Sequence, residues 1–212
     1  MFPYQLVCEG KADQVFFSRL LKVSGKNVDV SCPTQQEDGG LGNKAIHKRL
    51  IGFQAQLDKV TTLVVAVDCD DDHAVALDEA QEEFEKANRA NPHKLYPVPN
   101  QANILMNGQP RTAILLVPAN GAQGSLDSLL LPSFEQKYAG RLKCTHDFCT
   151  CLADPTRGFT HDARLRLRAI IASTQKNPGM SLANLLEEKN CPVELTHASF
   201  NAIRATLLAL FP

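Results

Sequence analysis

The chain has 212 residues, of which 44% are hydrophobic and 21% are charged, and its formal net charge is −1. This length suits one domain with an extension, and the composition is that of an ordinary globular protein. The charge excludes a protein that binds nucleic acid through a uniformly basic surface, and no apolar run is long enough to cross a bilayer. The first residues also lack the basic and then apolar order of a signal peptide. Seven cysteines, an odd number, fit free thiols in a reducing cytoplasm better than a disulfide framework.

Strands and helices alternate through the first ninety residues. Between the second strand and the second helix, residues 37–44 form a glycine-rich loop without the spacing of a phosphate loop. The acidic residues of the third helix are expected to face solvent. This alternation predicts right-handed crossovers and a mainly parallel sheet flanked by helices, an α/β fold. The predicted elements are a strand over 5–8, a helix with the stripe Phe16, Leu20 and Val23, a strand over 28–31, a helix with Ile46, Leu50, Phe53 and Leu57, a strand over 62–67, and a helix with Ala76, Ala80, Phe84 and Ala87.

The second half of the chain breaks this alternation. Residues 104–117 read as a β-hairpin insertion because Asn107-Gly108 is a favourable turn pair. Ser125 then caps a helix that Pro132 is expected to end. Beyond residue 140 the apolar spacing predicts helices alone. The sequence thus predicts an α/β domain over residues 1–140 and an all-helical C-terminal extension over 141–212 that packs on it.

Carboxylates follow two of the apolar strands directly. Glu9 comes after Leu6-Val7-Cys8, and Asp68 and Asp70 come at the end of Leu63-Val64-Val65-Ala66-Val67. Parallel strands deliver such side chains to one edge of the sheet, where three carboxylates repel one another unless a cation neutralises them. Oxygen ligands of this kind suit Mg²⁺ or Mn²⁺. The pattern therefore predicts a divalent-metal site at Glu9, Asp68 and Asp70, against the plainer reading in which the acids form a turn and a helix cap.

Glu9-Gly10-x-x-Asp13 followed by Asp68-x-Asp70 resembles the Toprim domain of topoisomerases, bacterial primases, recombination mediators and nucleases of the OLD (overcoming lysogenization defect) type. The resemblance covers about residues 4–130, and the later part is similar to small standalone OLD-like Toprim proteins of uncharacterised function. Two departures stand out. Asp71-Asp72-His73 follows the paired aspartates where topoisomerases and primases usually have a glycine, and the chain carries neither a cleaving tyrosine domain nor an ATPase domain.

The resemblance implies a Toprim-like fold, in which Glu9 is a general acid/base or a metal ligand and Asp68 and Asp70 are metal ligands. Asp72 is a further candidate ligand. Asp127 stands where OLD-like proteins usually have a glutamate, so it either joins a second metal position or is simply an acid in the first turn of a helix. Lys11 and Lys176 are candidate contacts for phosphate.

The function expected from this pattern is Mg²⁺-dependent phosphodiester chemistry on nucleic acid, DNA or RNA, as a nuclease of the Toprim type. Two alternatives stay open. One is a non-catalytic Toprim-like binding module that works with a partner such as an ATPase. The other is a phosphohydrolase or nucleotidyltransferase that acts on a small nucleotide.

Two further groups of residues are given weaker interpretations. Cys144, His146, Cys149 and Cys151 lack the spacing of a zinc site, so we expect a helix with Cys149 and Leu152 buried. Arg164, Arg166 and Arg168 are expected on an exposed, partly basic helix.

Overall fold

The computed structural model describes residues 3–34, 42–119, 121–152, 158–189 and 191–212. Within these ranges, four strands form one sheet and eight α-helices surround it, with four short 3-10 helices between them. Residues 37–41 of the predicted glycine-rich loop lie outside the described ranges. The strands are β1 (Tyr4–Cys8), β2 (Asp29–Ser31), β3 (Thr62–Asp68) and β4 (Arg111–Val117). The helices are α1 (Lys11–Val23), α2 (Ile46–Gln54), α3 (His73–Ala90), α4 (Leu126–Lys137), α5 (Leu142–Cys151), α6 (Phe159–Thr174), α7 (Leu182–Glu187) and α8 (Asn201–Leu210).

The sheet has the order β2-β1-β3-β4, and all of its strand pairs are parallel. Cys8 at the end of β1 lies opposite Ala66 of β3, and Asp68 at the end of β3 lies opposite Val117 of β4. Residues 62–67 of β3 are buried, as expected for a strand covered on both faces. The predicted α/β class, with a mainly parallel sheet flanked by helices, is confirmed.

Helices cover both faces of the sheet and form two apolar clusters. Leu6 and Cys8 of β1 pack with α1, α4, α6, α7 and α8, whereas Val7 packs on the other face with α2 and α3. This division follows from the alternation of side chains along a strand. Phe211, beyond α8, lies in the same cluster as Leu6, so the helical extension shares a core with the sheet.

The end of the chain also contacts β1 directly. The Tyr4 hydroxyl donates a hydrogen bond to the Pro212 carbonyl oxygen at 3.2 Å, and the rings of Tyr4 and Phe211 meet edge to face with centroids 6.0 Å apart. Helix α1 packs against α7 and α8. The extension is therefore built onto the first strand and helix of the chain.

Two predictions in the second half need correction. The hairpin is limited to one bridge, in which Met106 and Thr112 exchange backbone hydrogen bonds of 2.7 and 3.1 Å, and the following segment is β4, a parallel strand of the main sheet. Pro132 does not end α4, which continues to Lys137. Phe134, two residues after Pro132, is buried in the core, so the turn after the proline is packed although proline lacks a backbone donor.

Burial also corrects two side-chain predictions. The stripe of α3 is buried as predicted, but Glu83 is buried with it rather than facing solvent. Its Oε2 accepts hydrogen bonds from the His47 amide at 2.8 Å and from Nδ1 at 2.7 Å, and its Oε1 accepts one from Lys86 Nζ at 2.9 Å. The charge is thus paired inside the α2–α3 contact. Cys149 of α5 is buried as predicted, but Leu152, directly after this helix, is half exposed.

Candidate metal centre

The acidic residues lie at the point where the chain reverses its direction across the sheet. From β1 the chain passes through α1 to β2 on one side, and it then returns through α2 to β3 on the other side. Ligands of open α/β sheets bind at such a switch point, outside the carboxyl ends of the strands. Glu9 directly follows β1, and Asp68 is the last residue of the neighbouring β3. The structure therefore brings these two predicted site residues together.

Backbone amides orient both carboxyl groups. Glu9 Oε1 accepts a hydrogen bond from the Asp68 amide at 2.9 Å, which links the ends of β1 and β3. Asp68 Oδ1 accepts one from the amide of Leu126, the first residue of α4, also at 2.9 Å. The positive end of a helix dipole favours a carboxylate at that position. Each of these bonds uses one of the two carboxyl oxygens.

Burial and mutual repulsion raise the pKa values of these acids. Burial raises the pKa of Glu9 to about 7, with further increases from Asp13, Asp70 and Glu79, while the hydrogen bond from the Asp68 amide opposes the rise. Burial, followed by the charges of Asp13 and Glu9, raises the pKa of Asp68 well above its usual value. Without a cation, such a cluster favours the protonated forms, and a bound cation would favour the ionised ones.

Asp13 belongs to this cluster, and the sequence interpretation missed it as a site residue. It lies in the first turn of α1, and backbone amides of Gly10 and of Asp13 itself donate to its carboxyl group. Burial raises its pKa to about 6, and the charge of Asp127 adds to this rise. The signal was present in Glu9-Gly10-x-x-Asp13, but no site role was assigned to Asp13 from the sequence.

Asp70 is exposed, and a strained backbone holds it at the edge of the site. Its φ of 46° lies in the left-handed region, which costs a residue with a side chain on the order of 1 kcal/mol. Its amide donates to the Gly124 carbonyl oxygen at 2.7 Å, and the Gly124 amide donates back at 2.8 Å. This pair of bonds joins the loop after β3 to the loop before α4, so the Asp70 carboxyl group is presented from a fixed backbone.

Asp72 and Asp127, the two further candidate ligands, have different environments. Asp72 caps α3, since its Oδ1 accepts hydrogen bonds from the amides of Ala74 at 2.8 Å and Val75 at 3.2 Å. Asp127, in the first turn of α4, is buried, and its Oδ2 accepts a hydrogen bond from Arg164 Nε at 3.2 Å. Asp127 Oδ1 is buried with no hydrogen-bond partner among the described residues. Of the two, Asp127 has an oxygen in need of a partner.

The candidate phosphate contacts are only partly at the site. Lys11 lines a cavity beside Glu9, but its exposed Nζ lies 3.4 Å from Glu187 Oε1 and 3.3 Å from Gln14 Oε1. Lys176 follows the end of α6, about 15 Å or more along the helix from Arg164, so the structure does not bring it to the acids. Arg164 contacts Asp127 of the cluster, and its side chain is exposed, as the sequence predicted for this helix.

An open cleft of about 330 Å³ gives access to the acids from the α3 side. The donor set is all oxygen, which fits Mg²⁺ or Mn²⁺. As positioned, however, no three His, Cys, Asp or Glu side chains in the described ranges could hold one ion together. The acids that line the cleft are Glu9, Asp68, Asp70, Asp71, Asp72 and Glu79.

These features define an α/β protein with an acidic cleft at the switch point of a parallel sheet. The model of the family described as a protein of unknown function (DUF3226) matches residues 3–211, and the chain belongs to that family. Comparison with curated proteins and with solved structures gave no match. None of the described helices is both long and apolar enough to span a membrane.

Proposed function

We propose that this protein is a Toprim-like, Mg²⁺-dependent phosphodiesterase that acts on nucleic acid as a nuclease. The observation that supports the proposal is the convergence of Glu9, Asp13 and Asp68, whose pKa values are raised by burial and by neighbouring carboxylates, with Asp127 in the first turn of α4 close to Asp13. A cation relieves this repulsion and shields a developing phosphoryl charge. Seven free cysteines favour a reducing compartment, and we place the protein in the cytoplasm.

The proposed roles follow from the environment of each carboxyl group. Asp68 and Asp70 would be metal ligands, and Mg²⁺ or Mn²⁺ would supply Lewis-acid activation of a water molecule. Glu9 has a pKa near neutral pH, which suits a group that accepts a proton and returns it during turnover. Gly10, directly after Glu9, allows the Asp13 carboxyl group to lie close to the backbone there, since a Cβ at this position would be 3.3 Å from Asp13 Oδ2.

Two observations support alternative functions. Glu9, Asp68 and Asp72 all accept hydrogen bonds from backbone amides, which is what a purely structural acid cluster would show. This favours, as the second candidate, a non-catalytic module that binds a partner protein such as an ATPase. The cleft of about 330 Å³ is also large enough for a single nucleotide, as a phosphohydrolase or nucleotidyltransferase of small nucleotides would need.

The test is the metal-dependent cleavage of labelled single- and double-stranded DNA and RNA, with mononucleotides as a parallel substrate. Wild-type protein should cleave a nucleic acid with Mg²⁺ or Mn²⁺ and stop when chelator is added. Asp70→Asn should lower metal affinity and recover activity with excess metal. Glu9→Gln should lose turnover by a factor of about 100 or more without rescue, because an amide cannot exchange the proton.

Glu85→Gln is the matched control, because the Glu85 side chain is exposed and pairs within α3 with Arg89. It should cleave at the wild-type rate. Absence of cleavage of any nucleic acid by a folded wild-type protein would remove the nuclease proposal, and cleavage of mononucleotides alone would replace it by the small-nucleotide alternative.

A further inference from the structure

The contact between Asp127 and Arg164 joins the acid cluster to the helical extension. Asp127 lies in the first turn of α4 and Arg164 in the second turn of α6, and the two helices pack against each other. Arg164 Nε lies 3.2 Å from Asp127 Oδ2. Burial raises the pKa of Asp13 and the charge of Asp127 adds to this rise, whereas burial raises the pKa of Asp70 and the charge of Arg164 opposes the rise. Arg164 therefore acts on Asp127 and also on Asp70, which is one of the acids that line the cleft.

The two partners differ in exposure. The Asp127 side chain is 12% exposed, whereas that of Arg164 is 54% exposed. Arginine has a long side chain with many rotamers, and solvent is a ready alternative partner for its guanidinium group. If the contact opens, Arg164 is thus the side chain that moves, and Asp127 stays in place.

Comparison with Glu83 shows that the Asp127 contact is incomplete as a structural ion pair. Glu83 is a buried carboxylate between two helices, and both of its oxygens accept hydrogen bonds, from His47 and from Lys86. Asp127 is also buried between helices, but its Oδ1 has no partner among the described residues. A buried charge is stabilised only when it is paired and fully hydrogen-bonded. The Asp127 carboxyl group is therefore left short of one positive or donating partner.

We propose that Arg164 controls the entry of a cation at Asp127 and releases this residue when a phosphate group binds. This inference rests on the proposed function, since it concerns a second metal position and the phosphate of a substrate. In the absence of phosphate, the guanidinium group holds Asp127 Oδ2 and repels an incoming cation. A phosphate group offers Arg164 a better, bidentate partner, so the carboxylate becomes available to the cation.

The consequence is positive coupling between cation and phosphate binding. Because coupling is reciprocal, the factor by which phosphate raises cation affinity equals the factor by which the cation raises phosphate affinity. Couplings of this kind are typically about 5- to 150-fold. Both metal positions would then be occupied only when a substrate is present.

Calorimetric titration of the full chain with Mn²⁺, with and without thymidine monophosphate, tests this inference independently of catalysis. In the wild type, the nucleotide should raise the affinity of the second Mn²⁺ by about 5-fold or more. Arg164→Gln should bind the second Mn²⁺ tightly without nucleotide, and added nucleotide should change its affinity little. Asp127→Asn should lose the second ion under all conditions.

Arg168→Gln is the matched control, because Arg168 is an exposed arginine one turn further along α6. It should behave like the wild type. The inference is overturned if wild type and Arg164→Gln bind the second Mn²⁺ with equal affinity, or if Arg164→Gln loses the second ion. In either case, binding of the first Mn²⁺ would leave the proposed function intact. If none of the proteins binds Mn²⁺, the proposed function fails together with the inference.

Discussion

Replacing Glu9 by glutamine should stabilise the metal-free protein at pH 8, although it is expected to lower turnover by a factor of about 100 or more. The folded-state pKa of Glu9, about 7, lies above its ordinary value of 4.5. Between these two pH values the folded protein binds more protons than the unfolded chain, so its stability falls as the pH rises through this window. The loss is complete above pH 7 and absent below pH 4.5.

The magnitude follows from the two pKa values. Their difference, at about 1.36 kcal/mol per pKa unit, corresponds to about 3 kcal/mol of unfolding free energy. Glutamine keeps an oxygen for the Asp68 amide, but a neutral acceptor forms a hydrogen bond weaker by about 1 kcal/mol. The expected net gain is about 2 kcal/mol, or about 4–8 °C in the melting temperature of a chain of this length.

The assay is thermal unfolding followed by circular dichroism in excess chelator, at pH values from 5 to 8. The difference between Glu9→Gln and wild type should grow as the pH rises, and Glu85→Gln, an exposed change, should show no such trend. A Glu9→Gln protein that melts at or below the wild-type temperature at pH 8 would show that the buried charge of Glu9 does not destabilise the fold.

Three further outcomes are expected. Glu83→Ala should lower the melting temperature by about 4–8 °C, since it leaves His47 and Lys86 without their buried partner at a cost of about 2 kcal/mol, and an unchanged melting temperature would contradict the burial of that charge. Gly124→Ala should destabilise the protein by more than about 1 kcal/mol in denaturant titration, because its φ is 143° and a Cβ would lie 2.2 Å from Ser128 Oγ, and it should weaken Mn²⁺ binding by disturbing the backbone of Asp70. A thiol reagent should modify exposed Cys144 and Cys151 rapidly in the native protein and all seven cysteines after unfolding, whereas fewer than seven would indicate a disulfide.

The strands and the main acids could be predicted because local sequence determines them. An apolar run such as that of β3 can be recognised as a strand without knowing which strands lie beside it. Parallel pairing then places the residues at the ends of β1 and β3 at one edge of the sheet. The interpretation of Asp127 as a cluster member could not be decided in this way. Its partner Arg164 is 37 residues away on another helix, and helical spacing gives the face of a residue but not what lies opposite.

The wrong prediction that Glu83 faces solvent could have been avoided from the sequence. Glu83 lies three residues after Ala80 and four before Ala87, so it belongs to the apolar stripe of α3 by position. Its charge led to the expectation of solvent exposure, which is the usual environment of glutamate. A polar residue at a stripe position instead indicates a partner on the facing helix, here His47 of α2.

The contact between the first strand and the end of the chain bears on the order of folding. Helix α1 carries Phe16 and Phe17, and these side chains lie in the cluster that includes Phe200 and Phe211. During synthesis the apolar face of α1 is made long before the residues that cover it. A nascent chain therefore exposes part of this face until α8 and the residues after it have been translated, which favours early contact with a chaperone.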